Sequence, residues 1–251
     1  MSRQRGGRRR ERWAQVTWHP VEIGRSGAVV EWREGMFRKT SDDPRMDLEA
    51  EGARLRWLRD AGIPTAEVLD CGPGYLITAE VPGRSAADPW PVELRPRVID
   101  ALADLLIALH ALPVEDCPYD RSLHVTLPEA LRAEPDLDDL DEARRGWTRD
   151  QLVEELGRTQ PASEDLVVTH GDLCMPNVLF APDTCRVTGV IDAGRMGVAD
   201  RWVDLAIATR SMTSRLNAQY GPWAAERFLT RYGTEPDPGK TAFYRLLDEF
   251  A

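Results

Sequence analysis

Lysine is almost missing from this 251-residue chain: of 32 basic residues, 30 are Arg and only Lys39 and Lys240 are Lys. Such a bias fits a GC-rich coding background in which Arg supplies any plain positive charge. It singles out the two ammonium groups, because Lys is a compact point charge and Arg a broad planar fork. Cysteine is scarce too. Cys71, Cys117, Cys174 and Cys185 form no C-x-x-C pair, and no His stands at zinc-ligand spacing from them. Reduced thiols in a cytoplasm are therefore expected, and neither a zinc site nor a disulfide framework. No apolar run approaches the roughly 18 residues of a membrane helix. The first ten residues, MSRQRGGRRR, hold five Arg and no apolar core; residues 1–12 read as a disordered basic tail and no secretory signal is expected. Positive charge is otherwise short. The net charge is −10, with 42 acidic residues, and an acidic body repels nucleic acid and anionic lipid while favouring cationic partners.

What the chain does have is a β-rich beginning and a helical remainder. Residues 15–40 read as two hairpins, the first turning at Gly24–Gly27 and the second at Arg33-Glu34-Gly35. Residues 47–60 read as a helix with Leu48, Leu55 and Leu58 on one side. Strand character returns around Val68-Leu69 and Tyr75-Leu76-Ile77, and Val81-Pro82-Gly83 breaks the pattern. From about residue 92 the helical period dominates: Val98, Leu102, Leu105, Leu106 and Leu109 form one buried face. Short strands interrupt it at Leu166–Val168, Val178–Phe180 and Val187–Ile191, and helices are expected over 200–218, 222–232 and 240–250. The organisation is a small β-rich N-lobe over 13–81 followed by a larger, mainly helical C-lobe over 82–251.

The chemistry concentrates in His170-Gly171-Asp172-Leu173-Cys174-Met175-Pro176-Asn177 and in Val190-Ile191-Asp192-Ala193-Gly194-Arg195. An Asp at the end of a strand, an Asn five residues later and a second Asp closing an apolar strand match the needs of phosphoryl transfer. That reaction requires positioning, an acceptor for the attacking hydroxyl's proton, and hard oxygen ligands for Mg²⁺. Asp172 suits the acceptor; Asn177 and Asp192 offer oxygens to the metal.

The loop resembles the protein-kinase H-R-D-x-x-x-x-N segment with its D-F-G metal site. It is more similar to the H-G-D loop of the aminoglycoside phosphotransferases, and of the 3′-phosphotransferases in particular, over nearly the whole chain. The resemblance implies an α+β, two-lobed protein-kinase-like fold: a small antiparallel sheet with a helix, then a larger, mainly helical lobe. It implies ATP and Mg²⁺ as cofactors. Lys39 looks like the lysine on the α/β-phosphates and Glu51 like the glutamate that holds it, with Glu49 a weaker candidate. Phe37 takes the place of an aromatic that stacks on adenine, Ala79 and Val81 fall at the hinge that hydrogen-bonds the base, and Ser26 lies on the phosphate-covering turn. Plainer readings exist for several: Phe37 as core, Glu51 as a solvated helix charge, Lys39 as a guard on an edge strand, and the Gly24–Gly27 turn as a mere hairpin. His170 reads as a structural residue bonded to backbone, and Cys174 as loop packing.

Asp192-Ala193-Gly194 runs into Ala199-Asp200-Arg201 within a few residues, leaving no room for a peptide-binding activation segment, so a small-molecule acceptor is expected. Residues 134–142, EPDLDDLDE, hold six acids. The resemblance makes Asp136, Asp138, Asp139, Asp248 and Glu249 the ligands of a drug's ammonium groups; otherwise the stretch is a solvated loop. The resemblance also puts Arg195 at the pocket, steadying a carboxylate or the transferring phosphoryl; the plainer reading is an ion pair that braces the core. The expected function is transfer of the ATP γ-phosphoryl to a hydroxyl of a polycationic aminoglycoside, the 3′-hydroxyl first, giving antibiotic resistance. The rivals are a kinase of a nucleoside antibiotic or of a streptomycin-type 3″-hydroxyl, and a catalytically silent nucleotide- or drug-binding module.

Overall fold

The computed structural model describes residues 17–21, 27–43 and 45–251. The chain divides into two compact units, one ending at Pro82 and the other running from Gly83 to Ala251.

Alternating, half-buried segments build the first unit. β1 (His19–Pro20), β2 (Val29–Arg33), β3 (Met36–Thr40), β4 (Val68–Gly72) and β5 (Tyr75–Ala79) form an antiparallel sheet in the order β1-β2-β3-β5-β4. Glu34 and Gly35 take positive φ, 43° and 78°, the two-residue turn whose twist suits paired strands. That turn fixes the register that sets Lys39 opposite Val30. α1 (Leu48–Asp60) begins where the Asp47 carboxylate accepts the Ala50 N–H at 2.9 Å, satisfying one of the orphan donors of a helix start. Its buried Leu48, Leu55 and Leu58 pack on β4 and β5. Gly52 lets the helix close in, since a Cβ there would lie 2.9 Å from Cys71 Sγ. Ser26 and most of the Gly24–Gly27 turn lie outside the described residues.

The second unit threads short strands among helices. β6 (Arg84–Ser85) and β9 (Val187–Val190) flank β8 (Val178–Phe180), and β7 (Leu166–Thr169) pairs with β10 (Gly197–Asp200). Around them lie α2 (Arg95–His110), α3 (Leu123–Ala130), α4 (Arg149–Thr159), α5 (Trp202–Thr213), α6 (Pro222–Tyr232) and α7 (Pro238–Asp248). The apolar face of α2 is buried and packs on α6, while α5 packs on both α6 and α7. The helix expected over 200–218 ends at Thr213. Ser214 turns extended, with ψ 145°, and its hydroxyl accepts the Leu216 N–H at the start of a 3-10 turn over Arg215–Asn217. None of the four cysteines forms a disulfide. Among the described residues no helix is long and apolar enough to cross a membrane.

Candidate active site

In the first unit the chemistry centres on Lys39. Its ammonium lies 3.0 Å from Glu51 Oε2, with the two side chains 14% and 5% exposed. Glu49 and Glu51 both sit in the first turn of α1, but only Glu51 is turned inward, as a two-residue step on a helix requires. Burying two charges is tolerable when they are paired, and the pairing fixes where the ammonium stands. Phe37, half-buried, lies opposite Trp32 and Thr78 in the sheet. At the end of β5 the Ala79 N–H is donated to the Glu67 carbonyl at 2.8 Å, whereas no carbonyl among the described residues accepts the Val81 N–H. Val81 thus keeps a backbone donor to offer.

In the second unit, the loop after β7 carries His170, Gly171 and Asp172. Asn177 is buried and donates its Nδ2 to the Asp172 carbonyl at 2.9 Å and to Asp172 Oδ2 at 3.2 Å. Its own carbonyl accepts the Ile191 N–H at 3.0 Å, which ties the loop to the end of β9. There Asp192 takes φ 60°, a left-handed conformation costly for a non-glycine residue. Asp172, Asn177 and Asp192 are thereby joined through one short run of backbone and amide contacts. His170 supports the same junction: its Nε2 lies 3.1 Å from the Ile191 carbonyl, and its Nδ1 accepts the Asp172 N–H at 3.3 Å. Burial, then the charges of Asp172 and Asp192, push the Cys174 thiol well above its ordinary range, so it is inert packing and not a nucleophile.

A chain of charges runs from Asp172 to the C-terminal helix. Arg195 stands 3.3 Å from Asp172 Oδ1 and 2.7 Å from Asp248 Oδ1, and Arg210 takes the other Asp248 oxygen. Burial works against the Asp248 carboxylate, but the two guanidiniums outweigh it and keep its pKa below the ordinary value. Burial opposes the charge on Arg195 as well, and Asp248 and Asp172 more than restore it. Asp248 therefore spends both oxygens holding arginines. The loop carrying Asp136, Asp138 and Asp139 leaves all three exposed. It is docked on α7 by buried Arg144, which binds Asp141 at 2.7 Å and the Ala242 carbonyl at 2.8 Å. The Asp141 N–H is also donated to Glu249, at 3.3 Å.

Burial, then the charge of Asp141, push the Glu249 carboxyl up to about 7 from its ordinary 4.5. Between those values the folded chain keeps a proton that the unfolded chain releases. Stability therefore falls as pH rises through that window. Glu249→Gln is expected to remove this part of the slope, as measured by urea unfolding at pH 5 and pH 7.5; a slope equal to that of the parent protein would contradict it.

Sequence reasoning did not single out Asp204, Arg210 or Arg144. Asp204 is wholly buried on α5 and accepts the His170 N–H at 2.7 Å and the Gly171 N–H at 2.9 Å. A signal was available: one acid stands in the apolar run Trp202-Val203-Asp204-Leu205-Ala206-Ile207, where an unpaired carboxylate would be untenable.

Residues 17–244 match the model of the phosphotransferase enzyme family. The chain is 49% identical to an aminoglycoside 3′-phosphotransferase of Streptomyces fradiae, covering 96% of this chain and 97% of that protein. The crystal structure of an aminoglycoside-3′-phosphotransferase of type VIII superposes with a TM-score of 0.89 at 45% identity, over 98% and 97% of the two chains. Aminoglycoside phosphotransferase APH(3″)-Id from Streptomyces rimosus, in complex with ADP and streptomycin, superposes with a TM-score of 0.78 at 31% identity, over 98% and 97%. With a match of this length behind the loop, the paired lysine and the two-lobed α+β fold, the chain belongs to the phosphotransferase enzyme family.

Proposed function

We propose that this protein transfers the γ-phosphoryl group of ATP to the 3′-hydroxyl of an aminoglycoside antibiotic and so confers resistance. The observation that carries this reading is the 49% identity to the Streptomyces fradiae enzyme over almost the full length of both chains. The geometry around Asp172 supports the chemistry. Asp172 orients the acceptor hydroxyl and takes its proton as the O–P bond forms, while ADP leaves with the β-phosphate oxygen. Asn177 and Asp192 are the residues that would hold Mg²⁺. The Asn177 Nδ2 is committed to Asp172, which leaves its oxygen for a cation, and two oxygen donors beside phosphates suit this hard ion. Magnesium, when bound, offsets charge on the phosphate oxygens during transfer.

Lys39, braced by Glu51, aligns the α/β-phosphates. Phe37 stacks on the adenine, and the Ala79 carbonyl and Val81 N–H read its edge; Ser26 covers the phosphates. Asp136, Asp138 and Asp139 supply the negative field for a polycation, Glu249 beside them adds its charge only as it ionises near pH 7, and Asp248 acts through Arg195, which it steadies beside Asp172.

A coupled ADP-release assay across kanamycin-type drugs, their 3′-deoxy analogues, streptomycin and a neutral nucleoside antibiotic tests this. The expected result is turnover only where a 3′-hydroxyl is present, with the phosphate located on that oxygen by NMR of the product. Turnover of streptomycin alone would move the site to a 3″-hydroxyl, the choice favoured by the likeness to the streptomycin complex. ADP release with the nucleoside alone would remove the aminoglycoside assignment.

A further inference from the structure

The two amides that fix the loop ahead of Asp172 are both gripped by Asp204. Among the described residues its buried carboxylate has one further partner, His110 at the end of α2, whose Nε2 lies 3.2 Å from Asp204 Oδ2. The other ring nitrogen, Nδ1, lies 2.8 Å from the Tyr232 hydroxyl on α6. That hydroxyl accepts a hydrogen bond from Arg201 Nη1 at 3.1 Å, and Arg201 is itself anchored by Asp165 at 2.6 Å. A phenol has a single proton to donate. With the guanidinium donating into its oxygen, Tyr232 points that proton at His110 Nδ1. The ring must then carry its own proton on Nε2 and donate it to Asp204.

We propose that His110 is a positioning residue for Asp172: fixed as the Nε2–H tautomer by Tyr232, it orients the Asp204 carboxylate that clamps the His170 and Gly171 amides. This rests on the catalytic role proposed above for Asp172. Burial alone would drive the Asp204 carboxyl up, and the hydrogen bonds from His110 and from the His170 amide oppose it. The clamp matters because the loop has no slack on its other side, where Gly171 lies against the Arg195 carbonyl. A carboxylate free to swing would release the amides and let Asp172 drift, and misplacement of about 1 Å costs up to about 100-fold in rate. Oδ2 would still have the His170 amide but no partner holding its orientation from the α2 side.

Two measurements test the proposal. The first is independent of turnover: ¹⁵N NMR of the histidine rings in the full-length protein at pH 7, with His110 assigned by its loss in His110→Gln. The expected spectrum shows His110 protonated on Nε2 only, and Tyr232→Phe abolishes that preference. A ring protonated on Nδ1, or on both nitrogens, overturns the proposal, as does a tautomer unaffected by Tyr232→Phe. The second is a kinetic pair. His110→Leu is expected to lower kcat by about 10-fold or more with both KM values within about twofold, and His110→Gln, whose amide N–H reaches the Nε2 position, to restore most of it. Equal losses in the two variants, or full kcat in the leucine variant, sink the idea. If the parent protein phosphorylates none of the antibiotics, the function fails, and the tautomer still decides whether the relay exists.

Discussion

Asp172→Asn is expected to lower kcat by about 10²–10⁴-fold, the usual share of a general base. The substitution isolates the proton acceptor from the architecture. Asn keeps the shape of the side chain, and the stronger of the two Asn177 contacts, 2.9 Å, goes to the Asp172 backbone carbonyl, which no side-chain change removes. Arg195 loses one carboxylate neighbour and retains Asp248 at 2.7 Å. The fold should therefore persist, with the melting temperature within about 4 °C of the parent for a change of about 1 kcal/mol, and the KM for ATP should change little. What disappears is the group able to accept the hydroxyl proton. Steady-state ADP release read beside a thermal melt separates these effects, and retention of a third or more of the parent kcat would remove Asp172 from the role.

Gly171→Ala should be nearly as damaging by a different route. Gly171 has φ +84°, and a Cβ built there would stand 2.3 Å from the Arg195 carbonyl oxygen and 2.6 Å from its carbon. Left-handed backbone alone costs a non-glycine residue about 1–3 kcal/mol. The collision is with main chain, which cannot swing aside as a side chain would. A combined loss of about 3 kcal/mol or more is expected, or roughly 6–12 °C in melting temperature for a chain of this size. Because the displaced carbonyl belongs to Arg195 and the displaced amide belongs to the Asp204 clamp, kcat should fall as well, by about 10-fold or more. Gly157→Ala is the control. It lies within α4 with none of the described residues near the added methyl, where Ala is favoured over Gly by up to about 1 kcal/mol. Similar melting temperatures for the two variants would show that the loop is not tightly held.

How much of this was written in the sequence depends on the range of the interaction. Asp172 and Asn177 stand five positions apart in one loop, so their contact is local and their spacing announces it. The apolar face of α2 was legible because five leucine and valine positions keep one period, and all five are buried. The choice of Glu51 over Glu49 also follows from helix geometry once α1 is placed. The clamp on the loop was not legible. Asp204 meets His170 across 34 positions, and His110 meets Asp204 across 94; no local pattern encodes such pairings. β10 escaped notice because four residues, two of them Gly and Ala, carry too little periodicity to count. The end of α5 was missed for a related reason. Ser214 is neutral enough inside a helix to pass unnoticed, and it acts only by giving its hydroxyl to a new turn. For Asp248, the family resemblance suggested a carboxylate open to a drug; the two arginines that engage it come from Arg195 and from α5, and neither is a sequence neighbour.

Proteases that cut after lysine have only two sites in this chain, Lys39 and Lys240. One lies inside the central strand β3 and the other in the first turn of α7, and their ammonium groups are bound to the buried carboxylates of Glu51 and Asp200. Backbone in such places enters a protease cleft only after local unfolding. Digestion at these two bonds therefore reports separately on the opening of each unit: release of residues 1–39 follows the first, and release of residues 241–251 follows the second.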